Sequence, residues 1–548
     1  MCGIFYLGNV QLSTGDTRYD RLQPGDIYNA FNSIVHRGPD TSTYITNAES
    51  REVMGVHRLI INGTTGLSNQ PLTLDGITYL LCNGEIYNHE FLQQKYKISC
   101  KSGSDCEIIL HMIAKIGVEN TLRELDGEFA LVYVTPNYIY IARDPYGVRS
   151  LYIGIDKNYN MICVASENKA IYPLLFDPNY ITQFLPGHMG VWDKGKGSIG
   201  YYETPYYKYN TVAPTSAVFD GFNTLESYNE KIVNDIRTLL TVAVEKRMMC
   251  SYNNNNNNNK HMPYGVYLSG GLDSSVVAAI LQTLTPNVIE TFSIGFEGSP
   301  DVYYAKRVAE RIGSNHHEYI ITEEMALEAI PEVIKTIESY DVTTVRASVM
   351  MYLLAQYINK HSNVVIIFSG EGSDEASGSY KYFCNSPSDV EFNDECVRLL
   401  KDLHIFDNLR VDKTSAAFGL EARIPFLDLN FLSYYMKIPP SVKTQKGVEK
   451  YLIRKAFCHI LPECVTNRPK EALSDGVSCY TKSWYKIVQT YASQHLKMDD
   501  CVMAERQLYY NIFTSFYLGC DHQIPYYWLP KWCGVVKDPS ARVLKCYS

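Results

Sequence analysis

Two domains of different class are predicted: an α+β unit on antiparallel sheet at residues 2–207, then an α/β unit on a parallel sheet at residues 208–548. Three observations point there. The first stretch is a succession of short apolar runs broken by turn residues. At 208–224, KYNTVAPTSAVFDGFNT, the composition turns small and polar and periodicity fades, as at a domain edge. Beyond it, apolar strands alternate with helical stretches, the rhythm of βαβ units.

In order, CGIFYLG, VMGVHRLIIN, ITYLLCNGEIYN, GEFALVYV and YIYIARDPYGVRSLYIGI read as strands whose close spacing suits antiparallel pairing. One amphipathic helix interrupts them, from Asp105 to about Ile116, with Ser104 or Asp105 placed to cap it and Ile108, Ile109, Met112 and Ile113 at helical spacing. After the boundary a helix is expected from about Tyr228 to Arg247, followed by a run of asparagines from Asn253 to Asn259. Such a tract cannot build a core and reads as an insertion between elements. YGVYL then reads as a buried strand, SGGLDSS as a loop opening a helix, ETFSIGF and NVVIIFSG as further strands, with helices at about 301–312, 323–336 and 345–360. In parallel sheets ligands sit beyond the carboxyl ends of the strands, where SGGLDSS and SGEGSDE both fall.

Composition excludes several classes. With 50 Lys+Arg against 59 Asp+Glu, the 548-residue chain carries a formal charge of −9 and no long basic run, so neither nucleic acid nor an anionic membrane is an expected partner. No apolar run reaches spanning length and no secretory signal is seen, which predicts a cytoplasmic protein. Its 15 cysteines are odd in number and include no C-x-x-C, the pattern of reduced thiols. A transition-metal site is not expected, because His316 and His317 lack the spacing that puts two imidazoles on one helical face.

The loop Ser269, Gly270, Gly271, Leu272, Asp273, Ser274, Ser275 follows a strand and opens a helix, where backbone N–H groups and the helix dipole can hold an anion. Alone it also reads as a glycine turn with an N-capping Asp. It matches neither the P-loop nor the dinucleotide fingerprint. It resembles instead the pyrophosphate loop of the ATP pyrophosphatases, which cleave ATP between its α and β phosphates to adenylate a carboxylate. The segment Ser369-Gly370-Glu371-Gly372-Ser373-Asp374-Glu375 follows another strand and offers three carboxylates, readable also as an acidic turn. Carboxylates beside a pyrophosphate site imply Mg²⁺ accompanying ATP.

At the amino terminus Met1 precedes a small residue and is expected to be removed, leaving Cys2 with an α-amine beside its thiol. Such an amine, with a reference pKa of about 7.7–8.0, can serve as local base. A buried structural thiol is the plainer reading of Cys2 by itself. Its company decides: Cys2-Gly3-Ile4, His36-Arg37-Gly38-Pro39-Asp40, His57-Arg58-Leu59, Asn83-Gly84-Glu85-Ile86-Tyr87-Asn88, Ser104-Asp105 and Arg143-Asp144-Pro145-Tyr146-Gly147 together resemble a class II glutamine amidotransferase domain. The resemblance implies the N-terminal nucleophile hydrolase fold, an αββα sandwich. It implies Cys2 as the nucleophile on the glutamine amide, with Asn83 and Gly84 stabilising the oxyanion. Arg58, Leu59, Ile60, Ile61, Asn62, Asn83, Gly84, Glu85 and Asp105 are then the glutamine-binding set, Arg58 clamping the carboxylate and Asp105 and Glu85 meeting the α-amine.

The whole chain resembles the glutamine-hydrolysing asparagine synthetases, ligases of asparagine biosynthesis, closest to the eukaryotic form. Supporting segments are Tyr340 to Ser348, Gly419 to Asp428, Arg468 to Gly476, Trp528 to Trp532 and Asp538 to Arg542. By that resemblance Leu268, Ser269 to Ser275, Ile294, Ser369, Gly370 and Lys470 bind ATP, Asp273 and Asp374 hold Mg²⁺, and Glu371 is catalytic near the intermediate. Arg346 is the candidate for binding aspartate, with a structural helix-face arginine as the alternative; for Lys470 the alternative is a solvated lysine. The implied chemistry is attack of the aspartate β-carboxylate on ATP, giving β-aspartyl-AMP and pyrophosphate, then displacement of AMP by ammonia released from glutamine. Because ammonium has no lone pair, an apolar passage between the halves is expected. A homodimer is plausible for such a family. The competing readings are a lactam-forming relative, a bare glutaminase and a scaffold descended from the enzyme; intact Cys2, Asn83 and Arg58 beside both ATP loops favour the ammonia user.

Overall fold

The computed structural model describes residues 1–9, 22–209, 225–251, 262–445, 447–479 and 481–543. The expected linker lies largely outside these residues, and the asparagine tract wholly so.

The amino-terminal part holds two antiparallel sheets. One runs in the order Thr41–Asn47, Glu52–Arg58, Gly3–Gly8, Met161–Ala165, Tyr152–Asp156, Ile181–Gln183. The other runs Tyr202–Pro205, His188–Asp193, Tyr138–Arg143, Gly127–Val134, Tyr79–Ile86. Strand alternation sorts their side chains into layers. Ile4 and Tyr6 face the second sheet and pack with Leu81, Val132, Ile141 and Trp192 between the sheets. Their neighbours Phe5 and Leu7 point the other way, onto Ile27 and Phe31 of the helix Pro24–Asn32. On the far side Leu80, Cys82 and Leu131 meet Ile108, Ile109 and Met112 of the helix Glu107–Ile116. The result is helix, sheet, sheet, helix: the αββα sandwich. Each fully buried aliphatic or aromatic side chain contributes about 1.5–3 kcal/mol to holding these layers together.

One local expectation is corrected. The helix starts at Glu107, and neither Ser104 nor Asp105 is its N-cap; Cys106 holds that position without a side-chain cap bond. The Asp105 carboxylate instead accepts the Ile86 N–H at 2.7 Å, tying the helix entry to the strand Tyr79–Ile86.

The second part is built on a parallel sheet ordered Asn315–Ile320, Glu290–Gly295, Tyr264–Tyr267, Ile366–Phe368, Glu421–Arg423. Helices Leu225–Lys246, Leu272–Leu284, Pro300–Ile312, Glu323–Ile337 and Val342–His361 accompany it. From Tyr264–Tyr267 the chain builds outward through Glu290–Gly295 to Asn315–Ile320, then returns to lay Ile366–Phe368 on the opposite side. That reversal is a topological switch point, and the crevice beyond the strands' carboxyl ends there is where such sheets bind ligands.

The edge strand Glu421–Arg423 abuts the amino-terminal sandwich, and the seam is charged. The Met1 ammonium pairs with Glu421 at 2.9 Å, Arg423 with Glu421 at 2.8 Å, and Arg247 with Glu128 at 2.8 Å. Arg149 donates to the Ala422 carbonyl at 2.8 Å, and Arg37 joins Glu167 to Asp412. All of these side chains are buried. These paired ions fix the domains in register beside Cys2, while apolar side chains of both parts, among them Leu59, Ile61 and Val148 of the first and Cys250 and Tyr264 of the second, belong to one buried cluster.

Candidate active sites

The first site forms where strand Gly3–Gly8 begins. Cys2 is buried, and its backbone N–H donates to Asn83 Oδ1 at 2.7 Å. Burial pushes the Cys2 thiol up; the terminal ammonium, the Leu59 N–H and Arg58 pull against it without cancelling it. A thiol so placed needs a local base to become a nucleophile. The Asn83 Nδ2 is buried and has no hydrogen-bond partner among the described residues. An orphaned donor fixed beside the nucleophile is suited to a developing oxyanion. Gly84 follows with φ of +150°, and a Cβ there would fall 2.1 Å from the Glu128 carbonyl oxygen, so only glycine lets the strands close.

Arg58 ends the strand Glu52–Arg58. It donates to Asn69 Oδ1 at 3.0 Å and to the carbonyls of Asn62 at 2.7 Å and Gly63 at 2.5 Å. Neutral acceptors hold the fork, and no carboxylate of the described residues pairs with it. Opposite in character are Glu85 and Asp105, both buried. Burial raises Glu85 well above the usual carboxylate range, and Asp105 and Glu421 add to it; burial likewise raises Asp105. Asn62 donates its amide to Glu85, while Arg423 stands 3.6 Å from it. A cation reaching these carboxyls would relieve both. Ile60 donates to Asp40 at 2.7 Å, and Ile61 is buried, its carbonyl accepting the Ser251 N–H of the second part at 3.2 Å. A buried guanidinium and a buried carboxyl pair flanking a thiol fit an amino acid held by both its charged ends.

The second site is a cavity of about 180 Å³ at the switch point. Leu268, Ser269, Gly271, Leu272, Asp273, Ser274, Ile294, Ser369, Gly370, Glu371, Asp374, Lys470 and Arg346 all line it. Gly270 and Ser275 do not; they shape the loop from behind. A Cβ on Gly270 would lie 2.3 Å from the Ala305 nitrogen, and the Ser275 hydroxyl turns back to the Gly271 carbonyl at 2.6 Å. Gly271, with no side-chain cap, precedes the helix Leu272–Leu284, so the capping reading of Asp273 is corrected: the aspartate sits in the first turn and faces the cavity. The two loops touch directly. A Cβ on Gly370 would come within 2.8 Å of the Ser274 nitrogen, and Ser373 donates to Asp273 at 2.6 Å.

Charge in the cavity is organised by Lys450 and Arg410, which motif reading did not single out, together with Lys470 and Arg468. Lys450 bridges Asp273 at 2.6 Å and Asp374 at 2.5 Å, and Lys470 takes the other Asp374 oxygen. Burial pushes Asp374 up, but the two lysines outweigh it and hold the carboxyl well below its usual range. Arg468 donates to the Ser269 carbonyl at 3.1 Å and to Asp301 at 2.5 Å, bracing the glycine loop. Arg410 pairs with Glu371 at 2.8 Å; burial and Asp407 nevertheless keep Glu371 above its ordinary value. Lys450 follows Gly447-Val448-Glu449, a turn with no periodic signature, so only the fold brings it to the aspartates.

An "Asparagine synthase" family model matches residues 235–391 and 384–523, and a "Glutamine amidotransferase domain" model matches residues 1–196. The mouse glutamine-hydrolysing asparagine synthetase is 40% identical over 546 residues, spanning 94% of this chain and 95% of its own length. The human protein of that name is 39% identical over 548 residues and the chicken one 40% over 549, with the same coverage. The chain belongs to the glutamine-hydrolysing asparagine synthetases.

As an asparagine synthetase it joins the two sites above in one polypeptide: a glutamine amidotransferase half and an ATP-dependent amidating half. Within the synthetase cavity Arg346 has a different surrounding from that expected. Its fork is filled by Glu505, at 2.7 and 2.5 Å, and by Asp538, at 3.1 and 2.7 Å. Both carboxylates belong to the protein, so the alternative of a structural arginine describes its contacts. No helix among the described residues is long and apolar enough to cross a membrane.

Proposed function

We propose that the protein makes L-asparagine from L-aspartate with L-glutamine as nitrogen donor and ATP as activator, releasing AMP, pyrophosphate and glutamate. The observation that carries this is the pairing, in one chain, of an orphaned donor beside Cys2 with a cavity at a switch point lined by both glycine loops.

In the first half Cys2 attacks the glutamine side-chain amide. With Met1 removed, the nitrogen now 2.7 Å from Asn83 Oδ1 becomes a free α-amine that takes the thiol proton. Asn83 Nδ2 receives the oxyanion, Arg58 the substrate carboxylate, and Glu85 with Asp105 the substrate ammonium. In the second half the aspartate β-carboxylate is a poor electrophile, because displacement would expel oxide. Attack of its oxygen on the α-phosphorus of ATP breaks the bond to pyrophosphate and gives the acyl adenylate. Ser269, Ser274 and Lys470 face the departing phosphates. Asp273 and Asp374 are hard oxygen donors, bridged here by Lys450, that would hold Mg²⁺ brought with ATP, which would neutralise charge on the leaving pyrophosphate. Glu371, raised by burial, is suited to accept the proton that ammonia sheds as it displaces AMP.

A cytoplasmic setting suits the free thiols of the described cysteines, and self-association as a homodimer completes the reading. The test is Cys2→Ala. Glutamine-driven asparagine formation is expected to vanish while synthesis from added ammonium persists; parallel loss of both would contradict two separable sites.

A further inference from the structure

Pro539, Ser540, Ala541 and Trp528 line the same cavity as the two glycine loops, so the carboxy-terminal segment forms one of its walls. The segment is fastened along its length. The Trp528 N–H donates at 2.9 Å to Asp341, the N-cap of the helix Val342–His361. Asp538 is held by Arg346 and by Gln489 at 2.6 Å. Ser540 Oγ and the Ala541 N–H donate to the two oxygens of Asp475 at 2.7 and 3.1 Å. Last comes Arg542, whose Nε and Nη2 both donate to Glu471 Oε1, at 3.1 and 2.6 Å. Its remaining donors reach the carbonyls of Ser478 and Cys479, at 3.0 and 3.1 Å, and the Ser483 hydroxyl at 3.0 Å.

Glu471 and Asp475 belong to the segment that presents Lys470 to Asp374. Glu471 is gripped from the other side by Arg468, 3.5 Å away, which itself bonds the Ser269 carbonyl of the glycine loop. The contacts thus run from the strap through Glu471 to Arg468 and on to the glycine loop, and Glu471 directly follows Lys470 in the chain.

We propose that Arg542 is a positioning residue of the synthetase half: by fixing Glu471 it sets the Arg468–Lys470 turn against the glycine loop, and the strap from Asp538 to Arg542 seals that wall of the cavity. Arg542 lines no part of the cavity itself. This rests on the reading of the cavity as the seat of ATP and aspartate. It also gives Arg346 a task, since its second carboxylate partner is the strap residue Asp538.

The experiment compares the full-length enzyme with Arg542→Gln, Glu471→Gln and the double variant, measuring AMP and pyrophosphate formation with ammonium as nitrogen donor, and glutamine hydrolysis separately. For Arg542→Gln the KM for ATP is expected to rise about tenfold or more while glutamine hydrolysis stays within about twofold. If Arg542 acts through Glu471, the double variant is no worse than the worse single. Losses that multiply, or glutaminase falling in step with synthesis, would overturn the proposal. If Arg542→Gln does not fold, Ser540→Ala, which removes one bond to Asp475, is expected to raise the KM for ATP by a smaller factor with hydrolysis intact; an unchanged KM would overturn it. Wild-type enzyme yielding no AMP and pyrophosphate would instead sink the reading of the cavity.

Discussion

Asn83 carries the most telling single atom of the glutaminase half, a buried Nδ2 that nothing described accepts. A buried unpaired amide donor costs about 1–3 kcal/mol, and the cost is recovered only when a ligand oxygen arrives. Asn83→Ala is therefore expected to lower glutamine hydrolysis by about 10²–10³-fold, measured as glutamate release, with ammonium-driven synthesis kept. Loss of less than about threefold would show that the amide has another use. Glu85 and Asp105 make a second prediction, about pH. Both carboxyls are raised, so the folded protein keeps protons that the unfolded chain would release. That contribution to stability is present below the ordinary carboxylate range and is lost as pH rises through the raised folded values. A bound substrate ammonium reverses the preference by favouring the ionised pair. In the Cys2→Ala variant glutamine should raise Tm more at about pH 8 than at about pH 5; an equal or smaller shift at the higher pH would contradict the assigned contact. At this scale the sequence displayed the residue types and their motifs, but could not display Asp105 bonding Ile86 instead of capping a helix. Nor could it show that Arg346 is filled by two protein carboxylates whose positions are 159 and 192 residues away.

The two glycine loops are legible in the sequence because each is announced by an apolar strand and followed by helix-forming residues. That they touch is a matter of sheet order: the strands Tyr264–Tyr267 and Ile366–Phe368 are neighbours although a hundred residues of chain, roughly, separate them. Their contact makes Gly370 exacting, since a Cβ would press on the Ser274 nitrogen and the backbone of Asp273 at 2.8 and 3.0 Å. Both contacts are to a backbone anchored at a helix start, so the loops must part. Gly370→Ala is expected to lower AMP and pyrophosphate formation by about 10²-fold, with glutamine hydrolysis unchanged. Activity within a factor of about two of wild type would mean that loop contact is dispensable. The edge strands Asn315–Ile320 and Glu421–Arg423 escaped sequence reading for opposite reasons. The first is polar, with His316 bonded to Thr291 and Ser293 and His317 paired with Glu290, so it lacks the apolar run of a buried strand. The second has three residues, too few to show a period. Lys450 escaped for a related reason, lying in a turn that only tertiary structure carries to Asp273 and Asp374.

For the molecule as a whole, the sequence announced the change from antiparallel to parallel sheet but not the seam between them. Sequence logic asked for an apolar corridor, because ammonium cannot attack. The seam beside Cys2 also carries a buried lattice of paired ions, in which Asp412 of the synthetase half holds Arg37 and Arg247 holds Glu128. Such pairs add little net stability over apolar packing, yet losing one partner leaves a stranded charge at a cost of about 3–5 kcal/mol, so they fix register more than they hold halves together. Register is what a two-site enzyme needs if nitrogen freed at Cys2 is to be used at the switch point. The defining chemistry is adenylation fed by glutamine, and product stoichiometry reads it directly. Purified protein given Mg²⁺, ATP, aspartate and glutamine should yield asparagine, AMP and pyrophosphate in equal amounts. Release of ADP and phosphate in place of AMP and pyrophosphate would contradict the adenylate and, with it, the role assigned to the cavity.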